Sequence, residues 1–316
     1  MLATIHKHDR VVNAKQIPAS ILLAIAVVIG TAQQSNPFLG RWDFNISLPQ
    51  GGHAASWLGV YNEHGPIEVW FQPTGGNVIQ IQDFKIDGSQ LKFSFTGHSG
   101  VATWELDAFD GKLTGFQQRG DQKIPITGTR APEINHDTPR EWTKAEPLFN
   151  GKNLAGWEPI DHVTHNNWSV KDGLLVNTAR GANLKSLRTF DDFKLHFEVR
   201  CPDQGNSGFY LRGRYEVQIE YQGSPPERAM ASIYGRIAPV PTPPRTPGEW
   251  EVFDVTLVGR RVTVMHNGVT VIDNHEIEGI TGGALDANEG EPGPFYIQGD
   301  HTGGLQFRNI TVSLPR

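Results

Sequence analysis

Between residues 210 and 220 the chain carries a phenol, a guanidinium, two carboxylates and an amide at every second position on either side of a turn: Tyr210, Arg212, Glu216, Gln218 and Glu220. Side chains of a β-strand alternate between faces, so this set shares one side of a hairpin, and Phe209, Leu211, Val217 and Ile219 take the other. Gly205-Asn206-Ser207-Gly208 leads into the hairpin and Arg212-Gly213 reverses it. Carboxylates move protons, and a cation beside them steadies a developing oxyanion. Spacing restricts the chemistry. Glu216 and Glu220 lie about 13 Å apart at roughly 3.3 Å per residue, whereas a glycosidase pair needs about 5–5.5 Å for retention or 6.5–9.5 Å for inversion. An ordinary glycoside is therefore a poor match to these two residues.

The hairpin must be held by further strands. Phe193–Arg200 alternates cleanly, with Leu195, Phe197 and Val199 inward and Glu198 outward. Gly293–Gln298 turns Tyr296 and Gln298 to its non-core side, and Asp300 and His301 follow at its end. Hairpins are expected at Trp168–Val176, around Lys171-Asp172-Gly173, and at Arg261–Asp273, around Asn267-Gly268. No segment has helical period. Residues 148–316 are thus expected to form an antiparallel β-sandwich. Its Pro-rich stretch Gln222–Gly248, containing Tyr234, is too long for an ordinary connection, which marks it as functional or disordered.

Ahead of the sandwich, residues 36–130 hold short strands broken by turns such as Asp87-Gly88-Ser89 and Asp110-Gly111, the pattern of a small antiparallel β-barrel. Trp42, Trp57, Trp70 and Trp104 are assigned to its core in preference to a sugar platform. Residues 131–147, with three prolines and mixed charge, are expected to be a linker. At the N-terminus, Lys7, Arg10 and Lys15 precede an apolar run from Ile17 to Gly30, and Gly30-Thr31-Ala32 suits a signal peptidase. Residues 1–32 are therefore expected to be a signal peptide, leaving an exported bacterial protein, periplasmic or extracellular, with no membrane span after cleavage. The run is shorter than the roughly 20 apolar residues of a span.

With 35 Gly, 21 Pro and 20% charged residues the chain is a globular, turn-rich, all-β protein. A formal charge of -6 without clustered Lys or Arg argues against nucleic acid as a partner. Cys201 is the only cysteine, so neither an intrachain disulfide nor a thiolate metal cluster can form. No phosphate-binding loop, nucleophile elbow or zinc helix appears, and no organic cofactor is indicated. Two weak metal motifs are Asp161-His162-Val163-Thr164-His165 and the acidic run Asp286–Glu291, whose Gly is misplaced for a calcium loop.

From residue 146 onward the chain resembles the 3-keto-disaccharide hydrolase family. The resemblance is carried by Leu148-Phe149-Asn150-Gly151-Lys152-Asn153-Leu154-Ala155-Gly156-Trp157, Asn206-Ser207-Gly208-Phe209-Tyr210-Leu211-Arg212, Tyr215-Glu216-Val217-Gln218-Ile219, Gly248-Glu249-Trp250, His266-Asn267-Gly268 and Phe307-Arg308-Asn309-Ile310. Glu220 stands where the family has Asp, and Gly299-Asp300-His301-Thr302-Gly303-Gly304 is a loosened Asp-His-Gly turn. The resemblance implies a concanavalin A-like jelly-roll sandwich and a carbohydrate substrate oxidised at C3. A ketone there acidifies the C2 proton, so one base, one cation or divalent metal on the enolate oxygen, and one acid for the leaving group suffice. Glu216 or His301 is the expected base and Arg212 the cation. Glu198, Tyr210, Gln218, Glu220, Tyr234, Tyr296, Gln298 and Asp300 are expected to hold the sugar. The rival reading is a lectin-like protein of the same fold without catalysis, and a third is a protein-interaction face. Individually, Arg212 and Glu216 also fit a cross-strand ion pair on a wet sheet, and Arg308 and Trp250 fit structural roles better than ligand contacts.

Overall fold

The computed structural model describes residues 36–47, 53–97, 100–160 and 165–316. The expected signal peptide and all but the last residue of Asp161–His165 lie outside these residues. Residues Asn36–Arg316 form one compact unit, and no helix among the described residues is long and apolar enough to cross a membrane.

The first nine strands, from Gly40–Ser47 to Gln122–Arg130, make one antiparallel sheet curled into a near-closed barrel. Its edges are the short strands Ile79–Ile81 and Phe84–Asp87. Alternation sends Trp42, Phe44, Leu58, Phe71, Phe93 and Trp104 inward, where they pack in one hydrophobic cluster. The strand Gln122–Arg130 contains Pro125, normally a strand breaker because it lacks an N–H. It is tolerated because Gly40–Ser47 pairs this strand only at Gly128–Arg130, so no partner on that side needs a donor from Pro125.

The remaining chain forms two antiparallel sheets. One contains Phe193–Arg200, Trp250–Val258, Leu305–Ser313 and their neighbours; the other orders Trp157–Pro159, Leu184–Phe190, Gly293–Ile297, Asn206–Leu211 and Tyr215–Glu220 side by side. Their facing sides meet through aromatic contacts: Phe197 stacks across the sheets on Phe209 at 4.5 Å, and on its neighbour Phe253 in its own sheet at 4.7 Å. Residues 131–147 lie against this sandwich. His136 Nδ1 meets Asp192 at 2.8 Å, Trp142 bridges to Pro315, and Glu146–Pro147 pairs with the C-terminal strand.

Barrel and sandwich share a dry contact. Trp57 packs with Ile280 and Ala287 of the sandwich, and its indole N–H donates to the Ile280 carbonyl at 3.0 Å. Beside it, Arg41 pairs with the buried carboxylates of Asp43 and Glu289, and Tyr215 donates to Glu289 at 2.6 Å. Burial pushes Asp43 up to about 7 against the pull of Arg41, with the Glu289 charge adding to the rise. Removing the guanidinium leaves two buried acids without their cation. Arg41→Ala is expected to lower unfolding stability by about 3–5 kcal/mol, measured by urea denaturation at neutral pH.

The candidate active site

The site is the outer side of the five-stranded sheet. Phe209, Val217, Ile219, Phe295 and Ile297 face the core, so Tyr210, Glu216, Gln218, Tyr296 and Gln298 must point away from it. These polar groups are nevertheless buried: Glu216 is 3% exposed and Gln218 2%. Three segments roof them. The loop around Gly282-Gly283 lies over the tyrosines, the barrel loop Pro73–Asn77 meets it, and the first half of the Pro-rich stretch runs beside the strand Tyr215–Glu220. That last segment acts as an irregular extra strand: Gln218 N–H donates to the Ser232 carbonyl at 3.0 Å, and Tyr234 N–H to that of Glu216 at 3.0 Å. The result is a cavity of ≈ 420 Å³, within the size range of small-molecule sites.

Glu216 stands against Gly208 on the neighbouring strand. A Cβ at Gly208 would lie 2.1 Å from Glu216 Oε1, so the close approach of the carboxyl requires glycine there. Gly208→Ala is expected to displace the carboxyl and lower kcat by about 10²-fold with little change in secondary structure, a comparison of kinetics and circular dichroism. Tyr210 Oη lies 2.8 Å from Glu216 Oε2 and 2.8 Å from the Gly282 carbonyl. A phenol has one proton and the carbonyl can only accept, so a proton on Glu216 completes the chain Glu216–Tyr210–Gly282. Burial raises Glu216 to about 8, with the charges of Asp300 and Glu220 adding and the Tyr210 hydrogen bond opposing. At neutral pH Glu216 is an acid with a proton to give.

Tyr210 and Tyr296 stack with centroids 3.9 Å apart, and Tyr296 Oη donates to the Gly283 carbonyl at 2.9 Å. Burial holds both phenols well above the usual tyrosine range. Gln218 Nε2 donates to Glu220 at 3.1 Å. Among the described residues, the Oε1 of Gln298 has no partner although it is buried, leaving an acceptor for a ligand hydroxyl. At the other end Asn183 Oδ1 takes the backbone N–H groups of Gly299 and Asp300 at 2.7 and 3.2 Å, fixing the turn that carries His301. His301 Nδ1 lies 2.8 Å from Asp300 Oδ1, and its ring is half-exposed at the cavity. Burial opposes the charge of Asp300, but the His301 hydrogen bond and charge hold its carboxyl below the ordinary range. The arrangement is an imidazole held through Nδ1 at the cavity wall.

Nine of the expected site residues therefore line one cavity: Tyr210, Glu216, Gln218, Glu220, Tyr234, Tyr296, Gln298, Asp300 and His301. Two do not. Arg212 sits where strand alternation ends, at φ +51° in the hairpin turn, and turns away from the cavity. It bonds Asp191 at 2.9 Å and the Gly259 carbonyl at 2.8 Å, so it is not the cation of this pocket, nor is it paired with Glu216. Glu198 faces outward as expected, but from the other sheet, where Arg308 and Asn309 hold it at 2.7 and 2.6 Å. The Arg308 guanidinium also lies 3.9 Å over the Trp250 ring, a structural arrangement.

The guanidinium in the cavity is Arg228, in the short 3-10 turn Pro226–Arg228, with Nη2 3.2 Å from the Tyr234 hydroxyl. Nothing periodic marks it in the sequence. Asn183, Asn206 and the barrel glycines Gly75 and Gly76 also line the cavity unforeseen. The acidic run 286–291 is taken up by arginines: Arg214 binds Asp286 at 2.6 Å and Arg41 binds Glu289. Among the described residues, the grouping of three metal-type donors within 4.8 Å is His136, Asp191 and Asp192, outside the cavity. Arg212 already neutralises Asp191.

Residues 144–313, just over half of the chain, match the family described as 3-keto-alpha-glucoside-1,2-lyase-like domain. Among solved structures, a candidate glycosyl hydrolase from Parabacteroides distasonis ATCC 8503 is 26% identical, with a TM-score of 0.47 over 58% of this chain and 94% of that one. The GH16 endo-beta-1,3(4)-glucanase SCLam is 11% identical, with a TM-score of 0.36 over 59% and 96%. The carbohydrate-binding module CBM66 from Bacillus subtilis is 15% identical, with a TM-score of 0.34 over 51% and 96%. No curated protein matches the chain.

Proposed function

The chain belongs to the 3-keto-alpha-glucoside-1,2-lyase-like family, and we propose that its cavity cleaves the glycosidic bond of a 3-keto-glucoside by elimination. His301, held through Nδ1 by Asp300, takes the C2 proton on Nε2. The electron pair of that C–H bond forms the enolate of the C3 ketone, whose oxygen is steadied by Arg228. Collapse of the enolate forms the C1–C2 double bond and breaks the bond from C1 to the glycosidic oxygen. That oxygen takes the proton of Glu216, which Tyr210 and Gly208 hold in place. Gln218, Glu220, Tyr296 and Gln298 contact the sugar hydroxyls. Addition of water across the new double bond then gives 3-keto-glucose, so elimination plus hydration amounts to hydrolysis.

The observation that carries this reading is one cavity holding a carboxyl that burial raises to about 8 and an imidazole held through Nδ1 by Asp300. The tyrosine pair favours catalysis over a lectin, since both rings are buried at 1% and 2% exposure and offer no open stacking platform. Export follows as a proposal from the Lys7–Ala32 sequence, and is checked by the N-terminal residue of protein recovered from a bacterial periplasm. Activity is tested by giving the purified protein 4-nitrophenyl 3-keto-glucoside and unmodified 4-nitrophenyl glucoside. Release of nitrophenol from the first alone is expected; equal release from both removes the elimination route.

A further inference from the structure

A second cavity, ≈ 760 Å³, opens beside the first at the mouth of the N-terminal barrel. The two share Gly75, Gly76, Arg228, Tyr234 and His301 as common wall, so a ligand passing His301 enters the barrel mouth. We propose that this mouth is the leaving-group subsite and that it takes an aromatic aglycone bearing oxygen substituents, of the phenol class. The inference rests on the elimination reading for what occupies the adjoining cavity.

Three features point to that chemistry. The wall is aromatic: Phe71 meets Phe95 at 5.1 Å and Trp104 at 4.7 Å, and all three line the cavity, Phe95 partly exposed. Its polar side is donor-rich. Among the described residues, the indole N–H of Trp104, itself 1% exposed, and Nε of Arg119 are buried without acceptors. A buried donor left unpaired is destabilising, and an acceptor oxygen on a ligand would satisfy it. The charge is one-signed: Arg119 and Arg228 line the cavity, and no described carboxylate does. Against these two donors, one buried acceptor on the wall, Asn77 Oδ1, lacks a partner among the described residues, so the wall asks for a ligand whose oxygens mainly accept. A phenolic ring stacks against the aromatic wall and brings acceptor oxygens to the Arg119 guanidinium, and its glycosidic oxygen leaves with the proton of Glu216. Cleavage then places the released oxygen between the Glu216 proton and the barrel.

The test compares kcat/KM for 4-nitrophenyl and methyl 3-keto-glucosides in the full chain and in Phe95→Ala and Arg119→Ala. Each substitution is expected to lower the aryl value about tenfold, or 1.4 kcal/mol, and to leave the methyl value within about twofold. A direct measurement follows the Trp104 indole N–H resonance during titration with 4-nitrophenol, and a saturable shift is expected. Equal losses on both substrates, or an unmoved indole resonance, overturn the subsite. Should neither glycoside react with the unaltered chain, the elimination reading fails while the titration still decides the barrel mouth.

Discussion

Replacing His301 with alanine is expected to lower kcat on a 3-keto-glucoside by about 10²–10⁴-fold, the range for loss of a positioned general base. The side chain is half-exposed and contributes little packing, so the thermal midpoint should move by no more than a degree or two. Asp300→Asn should have a smaller effect of the same kind, because the imidazole remains but its tautomer is no longer fixed through Nδ1. Steady-state kinetics and melting curves on the same preparations separate the two roles. A merely structural histidine would lower stability and activity together.

Glu216→Gln is expected to produce two effects of opposite sign. Activity falls by about 10²–10⁴-fold, since the amide occupies the same space but has no acidic proton for the leaving oxygen. Stability at alkaline pH rises. The folded carboxyl is raised to about 8 from its ordinary 4.5, so its favourable contribution is complete below about 4.5 and is lost as pH climbs through 8. Glutamine, neutral throughout, avoids that loss. The variant and the unaltered chain should therefore melt alike near pH 5, and the variant should be the more stable above pH 8 by on the order of a few kcal/mol. The unaltered enzyme should also lose kcat above pH 8 as Glu216 gives up its proton. Melting temperatures that keep one constant difference from pH 5 to 9 would show that Glu216 is an ordinary ionised carboxylate.

Much of this site is written in period two. Tyr210, Glu216, Gln218 and Tyr296 could be assigned to one face because their neighbours Phe209, Val217, Ile219 and Phe295 have no other place than the core. The same rule fails in three ways that share a cause. Alternation says which way a side chain points from its own strand but not which sheet the strand joins, and Glu198 belongs to the other one. At Arg212 the strand has ended and a left-handed backbone redirects the side chain to Asp191. Arg228 lies in a segment with no period at all, and its place is set by hydrogen bonds between Ala231, Ser232 and Gln218 that only the folded chain forms. The barrel was legible as nine short strands' worth of pattern only in part: Pro125 hid the last of them, and it survives because the strand Gly40–Ser47 does not reach far enough to pair with it. That Gly75 and Gly76 reach the cavity from more than a hundred residues upstream has no local signature.

The elimination route has one strict requirement, that the glycosidic bond break only after a proton leaves C2. It is met most directly by comparing single-turnover cleavage of a 3-keto-glucoside with that of the same compound carrying deuterium at C2. A primary isotope effect, with a 1,2-unsaturated 3-keto sugar or its hydrate as product and no cleavage of the parent glucoside, is the predicted result. Identical rates for the two isotopologues, together with cleavage of the unoxidised glucoside, would contradict it.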